Sequence, residues 1–175
     1  MRLAPEFRID SWMNAKAPLT LADLKGRVVL AVAFQMLCPG CVSHSLPQAA
    51  RVRAAFSEKD LAVIGLHTVF EHHEAQGSKE ALAAFLHEYR IAFPVGIDAQ
   101  SGDGGVPLTM RAYAMQGTPT TILIDREGRL RLQKFGHVED LILGASIATL
   151  LGEAPVVHPG ADGPGCGEEG CRIPD

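Results

Sequence analysis

The cysteines of this chain fall into two close pairs, and thiols at such short spacing can exchange electrons or bind a metal ion. Cys38 and Cys41 belong to a CPGC motif, whereas Cys166 and Cys171 lie within the last ten residues. Four cysteines among 175 residues are too few to staple a secreted disulfide scaffold. The pairing therefore favours redox chemistry or metal binding over structural cross-linking.

The residues around CPGC predict a reactive first cysteine. An apolar run, "GRVVLAVAF", is typical of a strand buried on both faces, and a helical pattern follows the motif. A cysteine attacks only as its thiolate, which the free N–H groups and dipole at the start of a helix stabilise. We expect Cys38 to attack a disulfide and Cys41, one turn deeper, to resolve the mixed disulfide. Pro39 suits the first helical turn, and Pro39 and Gly40 influence the reduction potential without revealing the direction of electron flow.

The pattern along the chain predicts an α/β fold. A second buried run, "LAVIGLHT", follows the helix, so strand, helix and strand form a βαβ unit with a parallel pair. "IAFPVGID" predicts a strand, "TTILIDREGRLRLQKFG" a hairpin, and "SKEALAAFLHEYR", "LTMRAYAM" and "VEDLILGASIATLLG" predict helices, the first capped by Ser78. We expect one domain over residues 1–152 and an extended, flexible tail rich in Gly, Pro and acids over residues 153–175.

Composition narrows the classes of partner. The formal net charge is −4 and the basic residues are scattered, which argues against nucleic acid as a partner. No apolar run approaches the roughly 18 residues of a membrane span, and the first residues carry charges where a signal peptide needs an apolar run. We expect a cytoplasmic protein if Met1 is the native start, and a periplasmic one if an export signal is missing. The oligomeric state is not indicated.

Several segments, in their order along the chain, resemble the thioredoxin-like redoxins of the TlpA and ResA kind, which are related to the AhpC/TSA proteins. They are "APEFRID", "LTLADLKGRVVLAVAF", "CPGC", "GTPTTILIDREGRL" and the closing helix, and together they span about residues 3–151. The resemblance implies a thioredoxin fold with a central mixed sheet and helices on both faces. It also implies a thiol-disulfide oxidoreductase that needs no cofactor, acts on protein or small-molecule disulfides, and is served by an electron-donor reductase.

The same resemblance assigns further residues to the site. A proline in cis faces the cysteine pair in that family, and Pro119 in "GTPT" matches it, leaving the backbone of Thr118 open to bind an extended substrate. "VIGLHTVFEHHEA" resembles a thioredoxin-like domain attached to DipZ-type membrane proteins. Its strand would deliver His67 to the sheet edge that holds Cys38, as a supporting residue of the site. A strand-end histidine bonded to backbone is the alternative.

The sequence departs from the family in the acid or base beside the second cysteine. The buried acid of thioredoxin falls at Val32, and the position that is acidic in ResA-like proteins holds His44. A residue three positions after Cys41 shares its helix face, so His44 is predicted to exchange a proton with Cys41, the alternative being a solvent-facing side chain. Pro47 lies one residue later than is usual, which predicts a rotated or bulged helix.

The tail cysteines admit three interpretations. Glycines around Cys166 and Cys171 allow an internal disulfide, and a flexible arm could carry electrons between this pair and Cys38. The pair could instead bind a thiophilic metal such as copper or zinc together with His158, or be an incidental acidic terminus. The adjacent histidines of "EHHEA" are most simply solvent-facing.

Two rival functions remain open at this point. A cysteine-proline after a buried strand also occurs in peroxiredoxin-like thiol peroxidases, but their sites resemble P-x-x-x-T/S-x-x-C, and Ala31 and Gln35 occupy the first two fixed positions here. A metal chaperone or redox-inert module would use CPGC and the tail as ligands. A structural zinc site would require two more ligands in register with CPGC.

Overall fold

Six strands form one mixed sheet in the computed structural model, which describes residues 2–153 of the chain. The strands are β1 (Ile9–Met13), β2 (Val28–Phe34), β3 (Leu61–His67), β4 (Val95–Asp98), β5 (Thr120–Ile124) and β6 (Leu130–Phe135). Their order across the sheet is β1-β4-β3-β2-β5-β6. Apart from Glu153, the predicted tail lies outside the described residues, and so do Cys166, Cys171 and His158.

The helices occupy the connections that the sequence predicts, with one short addition. They are α1 (Leu46–Ala55), α2 (His73–Gln76), α3 (Lys79–Glu88), α4 (Leu108–Ala112) and α5 (Asp140–Gly152). Ser78 caps α3 as predicted, because its side chain accepts a hydrogen bond from the N–H of Ala81 at 3.1 Å. Neither α2 nor the edge strand β1 was predicted. Within residues 2–153, no helix is long and apolar enough to cross a lipid bilayer.

Strand β2 determines where the cysteines emerge. It pairs in parallel with β3, with Phe34 opposite His67, which confirms the predicted βαβ unit. On its other side it pairs antiparallel with β5, with Ala33 opposite Thr120. The ends of β2 and β3 and the start of β5 therefore meet at one edge of the sheet, which we call the CPGC edge. The CPGC motif follows β2 directly, so it lies at this edge.

Alternating residues of β2 build the core on both faces of the sheet. Leu30, Val32 and Phe34 pack into the cluster formed with α1, α3 and α5, whereas Ala31 and Ala33 pack into the cluster that includes α4. All seven residues of the strand are buried. Removal of this much apolar surface from water on both faces anchors the strand that carries the motif. Helices on both faces of a mixed sheet confirm the predicted thioredoxin-like architecture.

The helix that follows the motif contains a π turn over Cys41–Ser45 before α1 begins. The N–H of Leu46 donates to the carbonyl oxygen of Cys41, five residues back rather than four. Pro47 explains the location, because its ring would clash with the carbonyl four residues earlier in a regular α-helix, and it has no N–H to donate. The bulge predicted from the position of Pro47 is thus confirmed.

Candidate functional site

The CPGC motif forms a disulfide between Cys38 and Cys41, whose Cα atoms lie 5.2 Å apart. Cys38 is half-buried, whereas Cys41 is fully buried and belongs to the core cluster beneath the helix. The main-chain N–H of Cys41 donates to the Sγ atom of Cys38 at 3.2 Å. A donor at this distance would stabilise negative charge on the Cys38 sulfur once the disulfide is reduced.

The "GTPT" loop faces this disulfide. The bond between Thr118 and Pro119 is cis, and the carbonyl oxygen of Thr118 lies 3.5 Å from the Sγ atom of Cys38. A Cβ atom placed on Gly40 would lie 3.5 Å from the Cδ atom of Pro119, so the first helical turn and the proline ring are in close contact. The structure therefore brings together the four motif residues and the two loop residues that the sequence singled out.

Hydrogen bonds on both sides hold the "GTPT" loop in place. The hydroxyl of Thr120 donates to the carbonyl oxygen of Gly117 at 2.7 Å, and the N–H of Gly136 donates to the carbonyl oxygen of Pro119 at 2.8 Å. Pro119 is buried, while Thr118 is half-buried. The main chain of Thr118 is consequently fixed next to Cys38, the partly exposed cysteine of the pair.

His67 lies at the CPGC edge, as expected, but is enclosed by the core. Only 2% of its surface is exposed, its ring centroid lies 5.3 Å from that of Phe34, and its Nε2 atom is buried with no hydrogen-bond partner among the described residues. Burial lowers the pKa of His67 to about 4, so the imidazole is neutral at pH 7. None of the hydrogen bonds within residues 2–153 joins it to a cysteine.

His44 lies on the exposed surface of the π turn. Its Nδ1 atom is 2.6 Å from the hydroxyl oxygen of Ser43, and its ring packs edge-on against His137 with centroids 5.2 Å apart. The extra residue in the π turn rotates the position three residues after Cys41 away from the face that a regular helix would give it. The hydrogen bonds found in the described part of the chain include none between His44 and Cys41.

A buried carboxylate near the CPGC edge was not predicted from the sequence. Asp98, at the end of β4, accepts hydrogen bonds from the hydroxyl of Thr68 at 2.9 Å and from the N–H groups of Thr109 at 2.8 Å and Met110 at 3.1 Å. Burial raises the pKa of Asp98 above its ordinary value, although its three donors oppose the shift. This carboxylate holds the start of α4 against β3 and β4.

Two buried glutamines beside the disulfide were also missed as part of the site. Gln35 was noted only as a departure from the peroxidase pattern, and Gln76 carried no signal at all. Both side chains are about 1% exposed, and their amides are hydrogen-bonded to each other at 3.1 Å. Residue type alone does not distinguish a buried glutamine from a solvated one, so only the fold reveals this pair.

The described residues offer no ready metal site. No group of three or more His, Cys, Asp and Glu side chains within residues 2–153 is placed to hold a metal ion. The side chains of His72 and His73, in "EHHEA", are exposed. Cysteine ligands proposed for the tail lie outside the described residues.

Comparison with known families and structures gives concordant matches. A family model described as Redoxin matches residues 2–141. The crystal structure of a thioredoxin-like superfamily protein is 62% identical, with a TM-score of 0.84 over 87% of this chain and 97% of the other. A thiol-disulfide isomerase from Corynebacterium glutamicum is 44% identical, with a TM-score of 0.82 over 86% of this chain and 98% of the other.

Two characterised sequences are more distant relatives. The thiol:disulfide interchange protein DsbE of Pseudomonas aeruginosa is 27% identical over 83% of this chain and 72% of its own length. NHL repeat-containing protein 2 of Gallus gallus is 29% identical over 82% of this chain. The chain spans only 19% of the length of that second relative. Both matches cover more than four fifths of this chain.

Proposed function

Because this chain belongs to the Redoxin family and is a thioredoxin-like thiol-disulfide oxidoreductase, we propose that Cys38 is its attacking thiolate and Cys41 its resolving thiol. The observation that carries the assignment is the difference in exposure across the disulfide. Cys38 is partly exposed at the first helical turn, while Cys41 is fully buried beneath it. A substrate disulfide can therefore approach Cys38 directly but can reach Cys41 only through Cys38.

In the reductive direction, the thiolate of Cys38 attacks one sulfur of the substrate disulfide. An intermolecular S–S bond forms, and the other substrate sulfur leaves as a thiolate that takes up a proton. Cys41 then loses its proton and attacks the Sγ atom of Cys38, which forms the disulfide seen here and releases the second substrate thiol. Two electrons pass to the substrate, and a donor thiol must return them. The oxidative direction is the reverse.

Thr118 and Pro119 position the substrate in this proposal. Thr118 is half-buried, the carbonyl groups of its neighbours Gly117 and Pro119 are hydrogen-bonded, and its own carbonyl oxygen lies 3.5 Å from the attacking sulfur. An extended peptide that hydrogen-bonds there would present its own disulfide to Cys38, so binding and attack use adjacent atoms. Protein disulfides are accordingly the proposed substrates. The names of the Corynebacterium and Pseudomonas relatives, an isomerase and an interchange protein, support this class.

Trapping of the mixed disulfide tests the order of attack. In a background of Cys166→Ser/Cys171→Ser, the reduced variant Cys41→Ser should attack the disulfides of insulin and accumulate a mixed disulfide. Mass spectrometry should locate this adduct at Cys38. The matched variant Cys38→Ser should trap none. An adduct at Cys41 in Cys38→Ser would reverse the assignment, and failure of the full chain to reduce or oxidise any disulfide would refute the proposed function.

Supporting roles for several residues stay predictions from the sequence. Pro39 and Gly40 are expected to influence the reduction potential, and His67 to support the site from the core. His44 would have to exchange its proton with Cys41 through solvent or a rearranged π turn, and an unchanged pH profile of His44→Ala would remove it from the mechanism. Thiol peroxidase activity, the rival that the likeness to AhpC/TSA proteins suggests, is a further prediction, and peroxide turnover by the purified protein would reveal it.

Location and direction of electron flow are linked in this proposal. A glutathione redox titration of Cys38 and Cys41 gives the reduction potential of the pair. A value near the reducing end of the range for such proteins, about −270 mV, would support a cytoplasmic reductase. A value near about −120 mV would support an oxidant in an exported protein.

The tail relay also remains a proposal, and the position of Glu153 sets where the tail must start. Glu153, the last described residue, binds Arg131 at 2.6 Å, close to Asp125 just after β5. This lies at the opposite edge of the sheet from Cys38, because Ile124 pairs with Val29 at the start of β2. Thirteen peptide steps lead from Glu153 to Cys166, a contour of about 40 Å, which exceeds the roughly 23 Å length of β2.

Removal of the tail thiols decides between the interpretations of the tail. The variant Cys166→Ser/Cys171→Ser should slow turnover with a disulfide substrate if the pair relays electrons. Unchanged turnover would end the relay proposal, and stoichiometric zinc or copper binding that this variant loses would favour the metal interpretation.

A further inference from the structure

The two glutamines beside the disulfide bind the loop that carries Cys38 from one side. The side-chain carbonyl of Gln76 accepts a hydrogen bond from the N–H of Leu37 at 3.1 Å, one residue before Cys38. The N–H of Cys38 itself donates to the main-chain carbonyl of Gln35 at 3.2 Å, which closes a tight turn over residues 35–38. The N–H of Leu37 is therefore held by a glutamine side chain, and the N–H of Cys38 by the main chain of residue 35.

Gln35 extends the same network in two directions. Its side-chain carbonyl oxygen accepts hydrogen bonds from the N–H of Phe70 and from the side-chain amide of Gln76, both at 3.1 Å. Its own amide nitrogen points toward the hydroxyl of Thr118 at 3.5 Å and toward the carboxylate of Glu71 at 3.4 Å. Gln35 thus connects the turn before Cys38, the loop after β3 and the loop that faces the disulfide.

The remaining hydrogen-bonding groups of Gln76 are also used. Its amide nitrogen donates to the carbonyl oxygen of Glu71 at 2.9 Å as well as to Gln35. Burial of a primary amide is unfavourable unless its groups are paired, and a fully paired network in a low-dielectric interior is rigid. The chain places two such amides beside its reactive sulfur, where an apolar pair could fill the same space.

We propose that Gln35 and Gln76 are positioning residues, which hold the turn over residues 35–38 so that Cys38 stays next to the N–H of Cys41 and the carbonyl of Thr118. The inference rests on the proposed role of Cys38 as the attacking thiolate. Loss of Gln76 frees the N–H of Leu37, allows the turn to move, and weakens the contacts that stabilise and aim the thiolate. Neither glutamine touches the reacting sulfur, so each acts through the turn.

The test compares Gln76→Met with Gln48→Met, which removes an equally buried amide from elsewhere. Gln48 is 4% exposed and donates to the carbonyl of Val138 and to Asp140 at 2.6 and 2.7 Å, in helix α1. Both variants keep the side-chain length and lose a buried hydrogen-bonded amide. Each is assayed for thermal unfolding, for kcat/KM with insulin, and for the pH dependence of Cys38 alkylation by iodoacetamide in the reduced protein.

We expect both variants to lose stability, but only Gln76→Met to change the chemistry. Its kcat/KM should fall about tenfold, and the midpoint of its alkylation profile should move to higher pH, because a misplaced nucleophile and a lengthened N–H contact both disfavour attack. Gln48→Met should keep both quantities. A Gln76→Met variant that loses stability like Gln48→Met, with kcat/KM and alkylation midpoint unchanged, would overturn the positioning role.

A measurement on the unaltered chain keeps the proposal testable if Gln76→Met does not fold. Hydrogen exchange at the N–H of Leu37 should be strongly slowed relative to an unstructured amide, although Leu37 is 56% exposed. Exchange at the unstructured rate would overturn the proposal. Alkylation and exchange need no substrate, so they decide this inference even if the protein reduces no disulfide and the proposed function fails.

Discussion

The Sγ atom of Cys38 lies 3.5 Å from the main-chain carbonyl oxygen of Thr118, eighty residues further along the chain. The approach follows from the sheet, because Ala33 near the end of β2 pairs with Thr120 at the start of β5. The segment leaving one strand and the segment entering the other must therefore meet at the CPGC edge. A nucleophile and a peptide surface for its substrate are in this way brought together by strand pairing.

Gly40→Ala should be tolerated at this junction. Gly40 has φ −65° and ψ −29°, a helical conformation that alanine adopts freely, and its added Cβ would lie 3.5 Å from the ring of Pro119, an ordinary contact. We expect a gain of about 0.4–1 kcal/mol in the free energy of unfolding, since alanine restricts the unfolded chain. Urea denaturation of the oxidised protein measures it. A loss of stability would show that Pro119 leaves less room than the geometry indicates.

Gly65→Ala should have the opposite effect. A Cβ on Gly65, in β3, would lie 3.0 Å from Val95 and 3.1 Å from Phe34, so these two fully buried residues would have to shift within the packed core. We expect a loss of about 1–3 kcal/mol in the free energy of unfolding, typical of overpacking. The same urea denaturation applies, with Gly40→Ala as the matched control for a Gly-to-Ala change. A loss below about 0.5 kcal/mol would contradict the tight packing between β2, β3 and β4.

Asp98→Asn should destabilise the start of α4. The carboxylate accepts from Thr68, Thr109 and Met110, whereas an asparagine side chain presents an NH2 group to at least one of these donors. A buried donor without an acceptor costs about 1–3 kcal/mol, and we expect that loss in the free energy of unfolding. Asp103→Asn, which alters exposed contacts with Arg111 and the N–H of Gly105, provides the control. A loss for Asp98→Asn no larger than that for Asp103→Asn would show that the three buried hydrogen bonds contribute little.

The strands of the central sheet could be predicted from the sequence because their signal is local. "GRVVLAVAF" and "LAVIGLHT" are continuous apolar runs, and they became β2 and β3, buried almost throughout. Strand β1 gave no such signal, because "IDSWM" is only partly buried at the edge of the sheet and is defined by its pairing with β4, more than eighty residues away. Edge strands formed by distant pairing lack a periodic pattern of their own.

The site was predictable where residue type alone carries the chemistry. Two cysteines at this spacing, between a buried strand and a helix, point to Cys38 and Cys41 without any structure, whereas Pro119 was assigned from the resemblance to the redoxin family. Gln76 could not be found in this way, because its burial depends on a contact with Gln35, 41 positions earlier. The predicted alignment of His44 with Cys41 assumed a regular helix. The π turn changes this alignment, and Pro47 was the sequence feature that predicted such a turn.

The buried imidazole of His67 makes the stability of the protein depend on pH. Burial lowers the pKa of His67 to about 4, against about 6.5 in the unfolded chain, so the unfolded state binds more protons between these values. The stabilising contribution of neutral His67 is complete above about pH 6.5 and is lost as the pH falls toward about 4. At pH 4.5 we expect a loss of about 2–3 kcal/mol relative to pH 7.5.

His67→Phe isolates this effect, because it keeps a ring against Phe34 and removes the titrating group. The free energy of unfolding is measured in urea at pH 7.5, 6.0 and 4.5 for both proteins, so that other titrating groups cancel in the difference. We expect the difference in stability to shift in favour of His67→Phe as the pH falls, with most of the change between pH 6.0 and 4.5. A difference that stays constant across this range would mean that His67 is protonated as readily in the folded protein as in the unfolded chain, and that its imidazole is not closed off from water.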